Sequence, residues 1–189
     1  MDKYILASNS PRRQELFRLI SEDFLICPTN AEEVVPEGTP AEDVPLLLSE
    51  IKAEAAAAEH PDDIVIGCDT VVIHKGKIYG KPADREDAFR TLKTLSGECH
   101  TVVTGVTLIQ KSRGKKTSFS QKSVVKFCEL SDEEIESYID SGDPFDKAGS
   151  YGIQGRGALI VNGISGDYYN IMGLPVGMLY RKLKKFREG

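Results

Sequence analysis

The chain opens with a short apolar run at residues 4–7, followed by a polar turn, Ser8-Asn9-Ser10-Pro11-Arg12-Arg13, and an amphipathic stretch, Glu15-Leu16-Phe17-Arg18-Leu19-Ile20. This pattern predicts a strand, a tight turn and a helix, with Ser10 as N-cap and Pro11 as the first helical residue. Phe24-Leu25-Ile26-Cys27 reads as a second strand, ended by Pro28, and residues 29–38 as a polar loop. Thr39-Pro40-Ala41-Glu42 fits a capping box, but Pro45 interrupts it. The main helix is therefore placed from Asp43 or Pro45 through Leu47, Leu48, Ile51, Ala55 and Ala58, with Lys52 beside the apolar stripe.

Residues 64–73 form the most apolar run and predict a central strand with Asp69 in its middle. Lys75-Gly76 reads as a hairpin turn that returns through Ile78-Tyr79 to Gly80-Lys81-Pro82, bringing Lys81 near the level of Asp69. Asp84 caps a helix carrying Ala88, Phe89, Leu92 and Leu95, which Gly97 ends. Residues 100–109 and 119–128 read as an antiparallel hairpin around a glycine-containing turn, and Ser131 opens a short helix through a capping box. Residues 147–157 hold four glycines, which marks tight backbone suited to close approach of a ligand, with a plain turn as the other reading. A last strand is expected at residues 158–161, then an Asn162-Gly163 turn, a polar segment at 167–170 and a closing helix from Pro175. The expected fold class is α/β, a mixed twisted sheet flanked by helices.

With 189 residues, 40% of them hydrophobic and 28% charged, the chain has the composition of a soluble globular protein able to bury a substantial core. A net charge of −5 argues against a protein that wraps a long polyanion, so nucleic acid is not the expected partner. Cys27, Cys68, Cys99 and Cys128 stand far apart in strand-like runs and are read as reduced core residues of a cytosolic, cytoplasmic protein, with zinc binding or disulfides as the other reading. No apolar run approaches membrane-spanning length, so no membrane partner is expected. The basic run near the C-terminus, residues 181–187, is read as cations favoured at a helix C-terminus.

Two positions resist a purely structural account. Arg12 and Arg13 place cations against the positive end of the first helix, where a chain optimising that helix would place acids. Together with the Ser8 and Ser10 hydroxyls and the exposed N–H groups, they are suited to cradling a phosphate; two solvated arginines are the plain alternative. Asp69 interrupts an apolar strand, and an ionised carboxylate there needs a cation, a metal or several donors, unless it ends the strand and caps a turn. The inventory of Arg12, Arg13, Lys52 and Lys81 as cations with Glu32 or Glu33 and Asp69 as acids is that of a phosphoryl site. The Walker-type phosphate loop and the Cys or His signatures of phosphoenzyme phosphatases are absent.

The ordered set Ser8-x-Ser-Pro-Arg12-Arg13, Glu33, Lys52-Ala53, Gly67-x-Asp69-Thr70-Val71-Val72, Gly80-Lys81-Pro82, Thr101-Val102-x-Thr-Gly105-Val106 and Gly149-x-Tyr151-x-Ile153-Gln154-Gly155 resembles the Maf family, in its bacterial branch near the Bacillus members. The resemblance spans nearly the whole chain. It implies one domain over residues 1–189, with an elongated, two-lobed, inosine triphosphatase-like architecture and a central cleft. It further implies a pyrophosphatase dependent on a divalent metal, Mg²⁺ or Mn²⁺, acting on nucleoside triphosphates, in a housecleaning role associated with septum formation and cell division. By the same resemblance Asp69 is catalytic, Ser8, Arg12, Arg13, Lys52 and Lys81 bind substrate, and Glu33 and Asp69 hold the metal. The family's acidic pair often reads Asp-Glu and here is Glu32-Glu33, so the carry-over rests on Glu33.

Arg12, Thr70 and Gln154 resemble the branch that prefers dTTP and UTP, hydrolysed to the monophosphate and pyrophosphate; the 7-methyl-GTP branch differs there. A glutamine amide offers a donor and an acceptor to the edge of uracil or thymine, which is compatible with that assignment. The competing readings are a pyrophosphatase of the 7-methyl-GTP branch and a non-catalytic nucleotide- or nucleic-acid-binding regulator of septum formation. A homodimer is compatible with the sequence.

Overall fold

The structure is a computed structural model and describes residues 3–188. Its first strand, β1 (Tyr4–Ala7), leads through the Ser8–Ser10 turn into helix α1 (Pro11–Arg18). Strand β2 (Leu25–Ile26), helix α2 (Val44–Glu59) and strand β3 (Ile64–His74) follow. Strand β4 (Lys77–Tyr79), helix α3 (Arg85–Leu95), strand β5 (Cys99–Gln110) and strand β6 (Lys115–Phe127) come next. Helix α4 (Asp132–Asp140), strand β7 (Val161–Ser165), the short helix α5 (Tyr168–Met172) and helix α6 (Val176–Glu188) complete the chain. The strands form one mixed sheet in the order β2-β1-β3-β5-β6-β7, with β4 paired to β3. The expected α/β class, a mixed sheet flanked by helices, is what the chain adopts.

The chain forms two compact units. Residues 1–69, 104–121 and 173–189 make up the first and residues 70–103 and 122–172 the second, so the long strands β3, β5 and β6 each contribute to both. In the first unit β1 pairs in parallel with β2 and with β3, from Tyr4 opposite Ile64 to Ala7 opposite Gly67. A parallel ladder covered on both faces explains the unbroken apolar run that opens β3. Its core joins Ile5, Ala7, Val65 and Ile109 to Ala53, Ala56 and Ala57 of α2. Small residues on that helix face let it approach the sheet closely. At Gly67 an added Cβ would lie 2.2 Å from the Ser49 carbonyl oxygen, and at Gly105 2.3 Å from that of Pro45.

The second unit packs α3 and α4 over β5 and β6, with Leu92, Leu95, Val102, Val125, Phe127, Ile135 and Ile139 at its centre. The β3–β4 hairpin pairs Val72 with Tyr79 and His74 with Lys77 around Lys75-Gly76, where both turn residues take positive φ, 48° and 76°.

Several expected boundaries move. The strand expected at 24–27 shrinks to Leu25–Ile26, and the Phe24 ring beside it packs edge-on against Phe17, 5.0 Å between centroids. The last strand lies at Val161–Ser165, and residues 155–159 form a 3₁₀ turn. The Asn162-Gly163 pair makes no hairpin; Lys126 pairs with Gly163 and Phe127 with Val161, so Asn162 falls out of register as a bulge. The polar segment at 167–170 starts a short helix because Asn170 is buried, its amide donating to the Val102 carbonyl (3.2 Å) and the Ser123 hydroxyl (2.9 Å). All four cysteines are free thiols, but only Cys68 is fully buried; Cys99 is exposed, so the expectation that all four are core residues fails.

Candidate active site

The turn after β1 is built around two serines. Ser10 caps α1, its hydroxyl accepting from the Arg13 amide at 3.5 Å, and Pro11 occupies the first turn without needing a hydrogen bond. The buried Ser8 hydroxyl accepts from the Ser10 amide (3.2 Å) and from Arg13 Nη1 (3.4 Å). Arg13 Nε donates to the Gly173 carbonyl at 2.9 Å, just before α6. Two neutral groups thus fix the guanidinium of Arg13 beside the helix N-terminus, while Arg12 next to it is half-buried. The first turn of α1 holds no acid.

The second half of the arrangement comes from β3, α2 and the polar loop. Lys52 Nζ lies 2.5 Å from Asp69 Oδ1 and 3.2 Å from Glu33 Oε1, so one ammonium bridges a strand carboxylate and a loop carboxylate. The side chains of Asp69 and Lys52 are 14% and 17% exposed, against 47% for Glu33, so the inner pair interacts at low effective dielectric. Lys52 reaches Asp69 because α2 lies against the sheet at Gly67, whose missing Cβ leaves room for the Ser49 carbonyl and the Ala53 amide, 2.2 and 2.7 Å from where that atom would stand. Gly67 was read only as part of a motif; the signal that marks it as structural is a glycine inside an apolar strand, where close backbone approach is the usual cause.

Both halves converge on the carboxyl ends of the parallel strands β1 and β3, the end where open α/β sheets carry their ligands. Burial pushes the Cys68 thiol up from its ordinary value, with Arg13 and Lys52 pulling it down and Asp69 adding to the rise, so this buried residue lies within the field of both halves. Its raised pKa makes it a packing residue.

Thr70, Lys81 and Gln154 fall in the second unit. Lys81 is exposed and stands beyond Tyr79, the last residue paired in the β3–β4 hairpin; the ammonium on Asp69 is that of Lys52. Thr70 is half-buried, and the exposed Gln154 precedes the 3₁₀ turn of the glycine-rich loop. That loop is pinned from several sides. The Gly149 amide donates to the Gly80 carbonyl at 3.0 Å, next to Lys81 in sequence. Lys147 Nζ lies 3.1 Å from Asp143 Oδ1 and 2.7 Å from Asp146 Oδ1. The Tyr138 hydroxyl donates to Asp143 Oδ2 (3.1 Å) and accepts from the Gly152 amide (3.0 Å). Sequence reasoning missed Lys147, Asp143 and Tyr138 as anchors, since their partners are set by the packing of α4.

Among the described residues no group of three or more His, Cys, Asp or Glu side chains is placed to hold a metal. Two carboxylates brought to one ammonium are nevertheless a donor set that fits Mg²⁺, which keeps waters and takes one or two carboxylates together with phosphate oxygens. No helix among the described residues is long and apolar enough to cross a membrane.

Residues 3–186 match the family described as Maf-like protein. Over 184 residues the chain is 51% identical to the dTTP/UTP pyrophosphatase of Carboxydothermus hydrogenoformans, covering 97% of this chain and 98% of that one. It is 48% identical to the dTTP/UTP pyrophosphatase of Agathobacter rectalis (98% of each chain) and 46% identical to that of Bacillus cereus (98% and 96%). Among solved structures the Ham1 protein of Staphylococcus aureus superposes with a TM-score of 0.56 at 13% identity, covering 97% and 99% of the two chains. That likeness bears on the fold alone, and it agrees with the expected α/β class. With the family match running from Lys3 to Phe186, through the arginine turn, the Lys52–Asp69 pair and the glycine-rich loop alike, the chain belongs to the Maf-like protein family.

Proposed function

We propose that this protein is a nucleoside triphosphate pyrophosphatase that hydrolyses dTTP and UTP to the monophosphate and pyrophosphate in a metal-dependent reaction. The observation that carries the reading is the Lys52–Asp69 ion pair beside the Ser8–Arg13 turn, a carboxylate and fixed cations at the carboxyl ends of two parallel strands. The substrate class is supported by relatives 46–51% identical over nearly their full length that carry the name dTTP/UTP pyrophosphatase.

In this reading Arg12 and Arg13, the α1 amides and the Ser8 hydroxyl receive the phosphates, and the family resemblance assigns Lys81 to substrate binding as well. Asp69 accepts the proton of the attacking water, its carboxylate held in place by the ion pair with Lys52. Arrival of a polyphosphate gives Lys52 a competing anionic partner, which frees carboxylate oxygens of Asp69 and Glu33. Those oxygens would hold Mg²⁺ or Mn²⁺, which supplies charge neutralisation and a more acidic water. By the family resemblance Arg12, Thr70 and Gln154 select the base, Gln154 through the paired donor and acceptor of its amide. The free thiols are compatible with action in the cytoplasm, and the family resemblance supports a housecleaning role connected with septum formation.

The test is to incubate the purified protein with UTP, dTTP, CTP, GTP and 7-methyl-GTP, with and without Mg²⁺ or Mn²⁺, and to separate pyrophosphate from orthophosphate. Pyrophosphate from UTP and dTTP, absent when metal is chelated, is the expected result. Stepwise orthophosphate, equal turnover without metal, or a preference for 7-methyl-GTP overturns the assignment.

A further inference from the structure

A concavity of about 670 Å³ opens in the first unit at the end of β1 and α1 away from the arginine turn. Tyr4, the first residue of β1, and Ile20, just past α1, line it, together with Tyr180, Leu183, Lys184 and Arg187 of α6. Arg113 closes the group from the turn between β5 and β6, and Glu188 is the one acid among the described lining residues. Three cations against one acid make this a basic patch on a chain whose net charge is −5. It lies at the amino end of the parallel strands, whereas α/β sheets carry their reaction chemistry at the carboxyl end.

The dipole of α6 accounts for part of its basic run and not for this convergence. Lys115 of β6 already reaches the Phe186 carbonyl at 3.3 Å, and Lys182 lies 5.6 Å over the Phe119 ring. Lys184 and Arg187 instead share the concavity with Arg113, which belongs to a different element. Arg187 Nη1 donates to the Tyr4 hydroxyl at 3.4 Å, so its guanidinium is held at the rim. Tyr180 is 57% exposed, and the buried Leu183 lines the same concavity. Fixed guanidiniums recognise phosphate, exposed aromatic faces stack on bases, and the volume is that of a small-molecule site.

We propose that this concavity is a second site for a mononucleotide-class ligand, with an aromatic ring against Tyr180 and a phosphate among Arg113, Lys184 and Arg187. It stands independently of the reaction assigned to the arginine turn.

The chain contains no tryptophan, so Tyr180→Trp introduces a single indole at the concavity and its fluorescence reports occupancy there. UMP titrated into this variant should quench the indole saturably, with a midpoint that rises several-fold between low and physiological salt. Uridine and inorganic phosphate, each used as competitor, should need roughly tenfold higher concentration than UMP. Lys184→Gln alone, and together with Arg187→Gln, should weaken binding about tenfold or more, with circular dichroism confirming the fold. Arg13→Ala in the same background should leave the midpoint unchanged. No saturable quench at millimolar UMP, a midpoint indifferent to Lys184, phosphate competing as well as UMP, or a signal lost with Arg13→Ala each overturns the proposal.

Discussion

Two helices in this chain begin with a serine cap and then diverge. At α4, Ser131 accepts from the Glu134 amide while the Glu134 carboxylate accepts from the Ser131 amide, and Asp132, Glu133 and Glu134 fill the first turn. Every device there favours the helix itself. At α1, Ser10 caps more loosely, no acid follows, and Arg12 and Arg13 stand where acids would be favourable. On the function proposed above, what α1 forgoes in stability serves the phosphates of the substrate. The surroundings divide in the same way: β3 carries a partly exposed, charged Asp69–Lys52 pair, whereas the unit that α4 covers buries polar side chains such as Ser123 and Asn170 that carry no charge. His100 is 2% exposed, its Nε2 lies 2.7 Å from the Tyr151 hydroxyl, and Phe127 and Tyr151 pack edge-on against its ring.

If the division holds, changes on one side should alter turnover and changes on the other stability. The largest effect is expected at Asp69. Asp69→Asn preserves shape and removes the charge, so turnover should fall by about 10²- to 10⁴-fold, the usual contribution of a general base, with the loss of a metal ligand adding to it. Melting should move little, because the Lys52 side chain retains some solvent access and Glu33 as a partner. A variant that melts much earlier yet turns over normally per folded molecule would make Asp69 structural.

The opposite pattern is expected at His100. Burial, with a smaller contribution from His74, lowers its pKa from 6.5 to about 4. Between those values the unfolded chain binds more protons than the folded one, so stability rises with pH through that window, is complete above about 6.5 and is lost as pH falls toward 4. The shift corresponds to roughly 3 kcal/mol at full protonation. Denaturant midpoints measured from pH 7 to pH 4 should fall in wild type, and His100→Gln should flatten part of that slope. An unchanged slope in the variant would assign the acid sensitivity elsewhere.

What the sequence displayed and what it hid follow the same division. The α4 capping box, the cap at Ser10 and the oddity of Arg12 and Arg13 are local signals within a few residues, and each forms as read. Asp69 was conspicuous because a carboxylate inside an apolar strand violates the pattern around it. Its partner Lys52 lies 17 residues away, and their contact depends on how closely α2 approaches β3 at Gly67. The hairpin pointed instead to Lys81, since hairpin register is the only long-range geometry that sequence spacing exposes. Asn162-Gly163 misled for a related reason: the pair favours a turn locally, but pairing with β6 absorbs it as a bulge. His100 offered only a polar residue opening an apolar strand, and its burial among aromatic rings is a property of the assembled unit.

The next effect in size tests the arginine side directly. Arg13 is held by the Ser8 hydroxyl and the Gly173 carbonyl, so its guanidinium is pre-positioned and little ordering is needed on binding. Arg13→Ala should cost about 1.5–3 kcal/mol of substrate binding and transition-state stabilisation, roughly ten- to a hundredfold in kcat/KM. Steady-state kinetics that show less than a twofold loss would place the phosphates elsewhere.

The smallest effect sharpens the contrast between the two caps. Replacing a serine N-cap by alanine ordinarily costs about 1 kcal/mol of stability. At α4 the full cost is expected, because Ser131→Ala removes the acceptor for the Glu134 amide and loosens the reciprocal contact. At α1 the stability cost of Ser10→Ala should be smaller, since the Ser10–Arg13 bond is long at 3.5 Å and Pro11 already favours the first turn. Its effect on turnover should nevertheless be the greater, because the Ser10 hydroxyl fixes the Arg13 amide and the same residue carries the guanidinium proposed to meet phosphate. Melting and kcat/KM measured on both variants therefore form a crossed pair: Ser131→Ala lower in melting and normal in rate, Ser10→Ala nearly normal in melting and slower. If both variants lose stability equally and neither changes rate, the arginine turn is an ordinary helix start and its cations are only solvated.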